Sequence, residues 1–305
     1  MSFAVANTPP LNGKTALVTG GNSGLGLATV KALASRGAHV LLGARDAEKG
    51  KSAIIEVRNL HPTASIQLLQ LDLASQQSIQ EASSQVSKEF PHLDFLINNA
   101  GLMAMPETKT KDGYESQFGV NHLGHWSLTA LLMDRLLAAE SARIVTVTSS
   151  AHHMIWNVDF DDPHSHEKYS PWNAYSHSKL ANYYFALGLH MEFQKHGARA
   201  MSMLAHPGLA HTNLQVETFN QGAAGWGGTV SKYLAAKVGM EPSKGALPQI
   251  RAALDPRAKS GEFFAPRFFS TGAPVKRPIL RTHNRTNIRQ LFELSTSETG
   301  IALQL

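Results

Sequence analysis

The chain has no cysteine among its 305 residues, which excludes disulfides, thiolate zinc sites, iron–sulfur clusters and thiol nucleophiles together. Long apolar runs are missing too: no segment approaches the roughly 18 apolar residues that span a bilayer. Residues 1–13 lack the basic start and apolar stretch of a secretory leader. There is no internal repeat and no low-complexity linker. The expectation is one domain over 1–305, cytoplasmic, with no membrane partner.

Hydrophobic residues make up 43% of the chain, enough for a sizeable core, and charged residues only 17%. Lysine and arginine outnumber aspartate and glutamate by 28 to 23, a formal net charge of +5. An excess of that sign can serve a polyanion, but it is spread along the chain. The one basic row is Arg277, Arg281, Arg285 and Arg289, whose spacing would align them on a helix near the C-terminus. Pro278 interrupts that helix early, and a solvated face without a nucleic-acid partner is the expected reading.

Short apolar, β-branched runs alternate with longer amphipathic stretches, the pattern of βα units building a parallel sheet. Strands are expected at 15–19, 39–43, 66–70, 95–98, 143–148 and 199–204, with a short seventh at 262–265. Helical stretches run through 25–36, 47–60, 76–90, 113–139 and 174–195. Each is long enough for a right-handed crossover. The fold class is therefore α/β: a doubly wound parallel sheet (Rossmann fold) of about seven strands with helices on both faces. Two segments, 151–172 and 213–239, follow strand ends, where open α/β sheets bind ligands. They read as substrate-side walls or lids, with plain surface loops as the alternative, and 266–305 reads as a C-terminal extension.

The first strand runs into Thr19-Gly20-Gly21-Asn22-Ser23-Gly24-Leu25-Gly26, where a helix opens. Glycines admit unusual dihedrals and close approach of a pyrophosphate, and the helix N-terminus offers free N–H groups and partial positive charge. An NAD site would place an acid after the second strand to hold the ribose hydroxyls. Here Gly43 and Ala44 lead to Arg45, which can pair with a 2′-phosphate, so NADP(H) is favoured over NAD(H). Asp46 competes as a ribose partner, although its place before a helix suits an N-cap.

These motifs resemble those of the short-chain dehydrogenase/reductase superfamily, from Lys14 to about Gly261. The glycine turn has that family's T-G-x-x-x-G-x-G spacing, and Asp72-Leu73 resembles its adenine-contacting acid. Asn98-Asn99-Ala100-Gly101 is similar to its N-N-A-G signature, and Tyr175-Ser176-His177-Ser178-Lys179 to its Y-x-x-x-K. Pro207-Gly208 with Thr212 resembles the segment that contacts the nicotinamide amide. Ser149-Ser150-Ala151-His152-His153 and Ser178-Lys179-Leu180-Ala181-Asn182 look most like the retinol-dehydrogenase-like branch, here as a soluble member without a membrane anchor. Protochlorophyllide reductases are similar in outline but rely on cysteine, which this chain lacks.

The resemblance implies hydride transfer between a nicotinamide and a carbonyl or alcohol carbon, with a group that gives and takes the oxygen's proton. Tyr175 can do both if a cation stabilises its phenolate, and Lys179, four residues on, shares its helix face. By resemblance Lys179 also holds the nicotinamide ribose, Ser150 fixes the substrate oxygen, with Ser149 competing, and Asn121 positions a water. The expected substrate is a small-molecule carbonyl or alcohol, moderately bulky and apolar; Met103, Ala104, His153, Met154, Trp156 and Trp226 are candidate pocket residues or ordinary packing. The close histidine pairs lack a recognisable carboxylate cluster, so no metal is expected. A homodimer is an open expectation. The alternatives are a noncatalytic NADP(H)-sensing or scaffold protein, or an epimerase or double-bond reductase.

Overall fold

The computed structural model describes residues 3–209, 240–280 and 285–305. Its centre is a sheet whose strands are nearly continuous apolar runs, as burial on both faces requires. The strands are β1 (Thr15–Thr19), β2 (His39–Ala44), β3 (Ile66–Gln70), β4 (Phe95–Asn98), β5 (Arg143–Val147), β6 (Met201–Ala205), β7 (Phe263–Pro266) and β8 (Pro274–Arg277). Their spatial order is β3-β2-β1-β4-β5-β6-β7-β8, parallel throughout except that β8 runs antiparallel to β7. Every residue of β1 is buried. Leu17 faces one core with Leu41, Leu96 and Ile144, while Ala16 and Val18 face the other with Val40, Leu42 and Val145.

One side of the sheet carries α1 (Gly24–Ser35), α2 (Ala47–Leu60) and α9 (Leu247–Leu254), the last preceded by the short α8 (Pro242–Gly245). The other side carries α3 (Gln76–Glu89), α5 (Gly124–Leu131), α7 (Pro171–Lys195) and α10 (Arg285–Thr299). Asp46 caps α2 by accepting from the Glu48 and Lys49 amides at 3.0 Å each, and Ser75 caps α3. Two neighbouring strands, β1 and β4, are where the connections depart toward opposite edges, so this is the topological switch point.

One expectation is extended and two are corrected. Among the described residues the sheet has eight strands, the seven or so expected and β8, because the chain after β7 doubles back and pairs with it. The stretch 113–139 is not one helix: a single turn, α4 (Ser116–Phe118), passes into a π turn (Gly119–Leu123), then α5, then the short α6 (Met133–Ala138). The basic row does not exist as a helix face, since Arg277 ends β8 while Arg285 and Arg289 lie on α10 and Arg281 lies outside the described residues. The segment 213–239 also lies outside them.

The 151–172 segment is pinned to its surroundings. Tyr169 donates to the Met105 carbonyl at 2.8 Å, Gln117 donates to the Pro171 carbonyl at 3.0 Å, and His177 accepts from the Asp159 amide at 2.6 Å. These bonds hold it against the loop after β4, α4 and α7. The C-terminal helix α10 lies on α7, where a Cβ at Gly188 would meet the Phe292 ring at 2.5 Å and Ile288 at 2.6 Å. Gly188→Leu is expected to wedge the two helices apart and cost about 2–3 kcal/mol of stability, read as a lower urea midpoint. An unchanged midpoint would mean that the seam yields freely.

Candidate active site

The turn after β1 can only be glycine-rich. Gly20 and Gly24 have φ values of 63° and 53°, and a Cβ at Gly26 would lie 2.1 Å from the Gly20 carbonyl oxygen. Ser23 makes no side-chain bond to the helix it precedes, and the first turn of α1 holds no acid. Uncapped N–H groups and the positive end of the helix dipole therefore border a cavity of about 490 Å³. Gly20, Asn22, Ser23, Gly24, Leu25 and Gly26 line it, as do Arg45, Asp72, Leu73, Ala100 and Gly101. This lining fits a dinucleotide: a glycine cradle for the pyrophosphate, and cations at the β2 end.

At that end, Gln70 donates to the Arg45 carbonyl at 2.7 Å, steadying the backbone from which the exposed guanidinium projects. Asp46 is engaged by its two cap bonds. Lys49, in the first turn of α2, lines the same cavity and was not among the residues expected from the sequence. Asp72 accepts from the Ala74 amide at 3.1 Å and faces Lys111 at 3.4 Å.

At the switch point the Thr19 hydroxyl accepts from the Asn99 and Ala100 amides at 2.9 and 3.0 Å, and the Asn99 side chain donates to the Thr19 carbonyl at 2.8 Å. Gln249, on α9, donates to the Asn99 side-chain oxygen at 3.0 Å. Asn98 itself points away from the cavity's lining and donates to Thr129 at 3.1 Å. Gly101 leaves no room for a side chain: a Cβ there would meet Asn121 Oδ1 at 2.9 Å and Lys179 Nζ at 3.3 Å. The Asn121 amide accepts from the Leu102 N–H at 2.7 Å and donates to the Leu102 carbonyl at 2.9 Å and to Ser178 at 2.8 Å. It clamps the loop after β4 onto α7.

Tyr175 and Lys179 sit one turn apart on α7, with Nζ 5.7 Å from the centre of the phenol ring. They are 7% and 5% exposed and lie outside the cavity's lining, with Lys179 Nζ next to Gly101. Lys179 Nζ donates to the Val147 carbonyl at 3.4 Å. The sequence suggests that the lysine pulls the phenol pKa down; in the structure burial dominates both groups. It pushes Tyr175 up to about 12, against a hydrogen bond with Ser149 that acts in the opposite sense. It pushes Lys179 down to about 8. Ser149 has extended dihedrals and faces Tyr175, whereas Ser150 opens a 3-10 turn (Ser150–His153). Of the two serines, Ser149 is the one that bonds to the Tyr175 phenol.

Pro207 and Gly208 follow β6, and a Cβ at Gly208 would meet the Ser270 carbonyl oxygen at 2.3 Å. Thr212 and Trp226 lie outside the described residues. Ala104, fully buried, adopts φ 47°, a left-handed conformation uncommon for alanine, just beyond Gly101. Met105 lines the cavity, whereas Met154 and Trp156 are 64% and 95% exposed. Among the histidines, His122 bonds to Ser295 and His164 to Glu298, and among the described residues no three potential ligands converge on one point. No described helix is long and apolar enough to cross a membrane.

Comparison with known proteins agrees with this geometry. The family described as short chain dehydrogenase matches residues 14–223. Human retinol dehydrogenase 12 is 43% identical over 204 residues, 67% of this chain and 64% of that protein. The match thus spans less than two thirds of that relative's length. Mouse retinol dehydrogenase 13 is 35% identical over 292 residues, 95% of this chain and 85% of its own. The crystal structure of an uncharacterized protein from Mycobacterium Paratuberculosis superposes with a TM-score of 0.80 at 33% identity, covering 100% of both chains. The chain belongs to the short chain dehydrogenase family.

The buried ammonium has a consequence for stability. Lys179 titrates near 8 when folded and near 10.5 when unfolded, so across that window unfolding takes up a proton and stability rises with pH. Below about pH 8 the folded protein carries the full burial penalty. Lys179→Met is therefore expected to gain stability at pH 7, on the order of 1–3 kcal/mol, and to gain less at pH 9.5. Urea denaturation at both values checks this; equal gains would contradict it.

Proposed function

We propose that this short chain dehydrogenase transfers a hydride between NADP(H) and a carbonyl or alcohol substrate, with Tyr175 as the general acid and base. The observation that carries the reading is the buried Tyr175–Lys179 pair on one face of α7, with Lys179 Nζ next to Gly101. When bound, the nicotinamide supplies or takes up the hydride. The chain does the rest. Held near 12, the phenol keeps its proton at neutral pH, the state from which it gives that proton to a carbonyl oxygen. In the oxidising direction the same hydroxyl must lose a proton, and Lys179 is the cation close enough to offset the charge.

Preference for NADP(H) rests on Arg45 and Lys49 beside the cavity and on the engagement of Asp46 in capping α2. A phosphate gains charge-assisted hydrogen bonds from these cations, whereas Asp46, the acid at the end of β2, has Oδ1 engaged in the cap and Oδ2 3.9 Å from Lys49 Nζ. Ser149, which bonds to Tyr175, or the adjacent Ser150 orients the substrate oxygen; contact with the phenol favours Ser149. Met105 in the lining and the exposed Met154 and Trp156 beyond β5 suit a moderately bulky apolar substrate. Retinol dehydrogenases among the relatives are consistent with that class.

The reading is tested by following NADPH oxidation across a panel of ketones and aldehydes. Tyr175→Phe is expected to lower kcat/KM by about 10²–10⁴-fold with little change in NADPH affinity. Equal activity in wild type and variant would remove Tyr175 from the chemistry, and no turnover with any substrate would favour a sensing role. Arg45→Asp is expected to weaken NADPH binding by about 10–100-fold while sparing NADH. An unchanged preference would exclude Arg45.

A further inference from the structure

His125 is fully buried on α5 and does not line the cavity, yet it touches both halves of the site. Its Nε2 lies 2.8 Å from the Thr19 hydroxyl and its Nδ1 lies 2.9 Å from the backbone carbonyl of Asn121. A carbonyl can only accept, so Nδ1 carries the proton; were it on Nε2, two lone pairs would face each other at Asn121. The Thr19 oxygen already accepts from the Asn99 and Ala100 amides, which uses both its lone pairs. Its own proton therefore goes to Nε2, 2.8 Å away, in preference to the Ile97 carbonyl at 3.3 Å. The donor accounting admits one neutral tautomer.

We infer that His125 is a positioning residue that locks the glycine turn, the loop after β4 and the Asn121 clamp into one arrangement. The lock runs from Thr19 through the ring to Asn121, which sits in the π turn, and on through Ser178, which donates to the Tyr175 carbonyl at 2.8 Å. A π turn displaces backbone carbonyls from their usual i+4 partners, and His125 supplies the donor that Asn121 then meets. Burial drives the ring pKa down to about 4, so the link stays neutral across the physiological range.

The inference rests on the NADP(H)-linked reading of the same site, and the experiment separates the two. NADPH affinity, kcat, KM for a ketone and thermal midpoint are measured for wild type, His125→Leu and His125→Asn. Loss of both bonds in His125→Leu is expected to weaken NADPH binding and lower kcat, each at least tenfold, with KM for the ketone little changed. His125→Asn keeps a donor toward the Asn121 carbonyl and is expected to recover much of the loss. Leucine and wild type within twofold in both affinity and kcat would overturn the inference, as would equal losses in the two variants. Should His125→Leu fail to fold, Thr19→Val decides: it removes the hydroxyl that bonds to the ring, and NADPH affinity and kcat within twofold of wild type would refute the lock. If wild type bound NADPH but reduced no ketone, the proposed activity would fail while the affinities still judged His125. If it bound no NADPH, both would fall.

Discussion

The site depends on how closely β1 and β4 can be held where their connections part. At the switch point two loops leave adjacent strands, and each exposes backbone N–H groups that the sheet no longer satisfies. The hydroxyl of Thr19 takes two of them at once, and the Asn99 amide returns a bond to the Thr19 carbonyl. That closure brings Gly20 and Ala100 together, with a notional Cβ on Gly20 only 3.1 Å from Ala100. Without it the glycine turn and the floor beneath the cavity would be separate loops.

Behind that closure two ionisable groups are buried at a cost in stability. Tyr175 and Lys179 are buried so thoroughly that the low dielectric, rather than their mutual attraction, sets their ionisation. Both are driven toward their neutral forms, the phenol upward and the ammonium downward. A buried lysine whose hydrogen-bond partner among the described residues is a backbone carbonyl, with the Tyr175 ring 5.7 Å from its Nζ, is costly. Such groups are common at reactive centres, where an environment unfavourable to the resting charge state is part of the function.

The C-terminal part of the chain steadies the face opposite the cofactor cradle. Helix α10 packs across α7, and its end is tied down by Trp126 donating to the Ile301 carbonyl at 2.9 Å and Tyr114 donating to the Glu298 carbonyl at 2.7 Å. His164, within the 151–172 segment, reaches Glu298 at 3.1 Å. The helix that carries Tyr175 is thus held between the sheet and a second layer, which restricts its movement relative to Gly101.

The sequence by itself determined the strands, the glycine turn, the cap of α2 and the spacing of Tyr175 and Lys179, because each is local: apolar runs, turn residues and i+4 partners are legible within a few positions. It could not supply β8, whose Pro274–Arg277 run has no strand-like alternation and becomes a strand only because β7 offers an edge. Nor did it reveal the π turn, since 113–139 keeps a helical pattern across the break. Lys49 had no local signal, since Arg45 precedes the cap of α2 and the two share no helix face, and His125 had none beyond its spacing from Asn121. Which of two adjacent serines meets Tyr175, and whether burial or charge governs that phenol, were decided only by the tertiary structure. Those outcomes depend on groups brought together from distant parts of the chain, and on the dielectric that their packing creates.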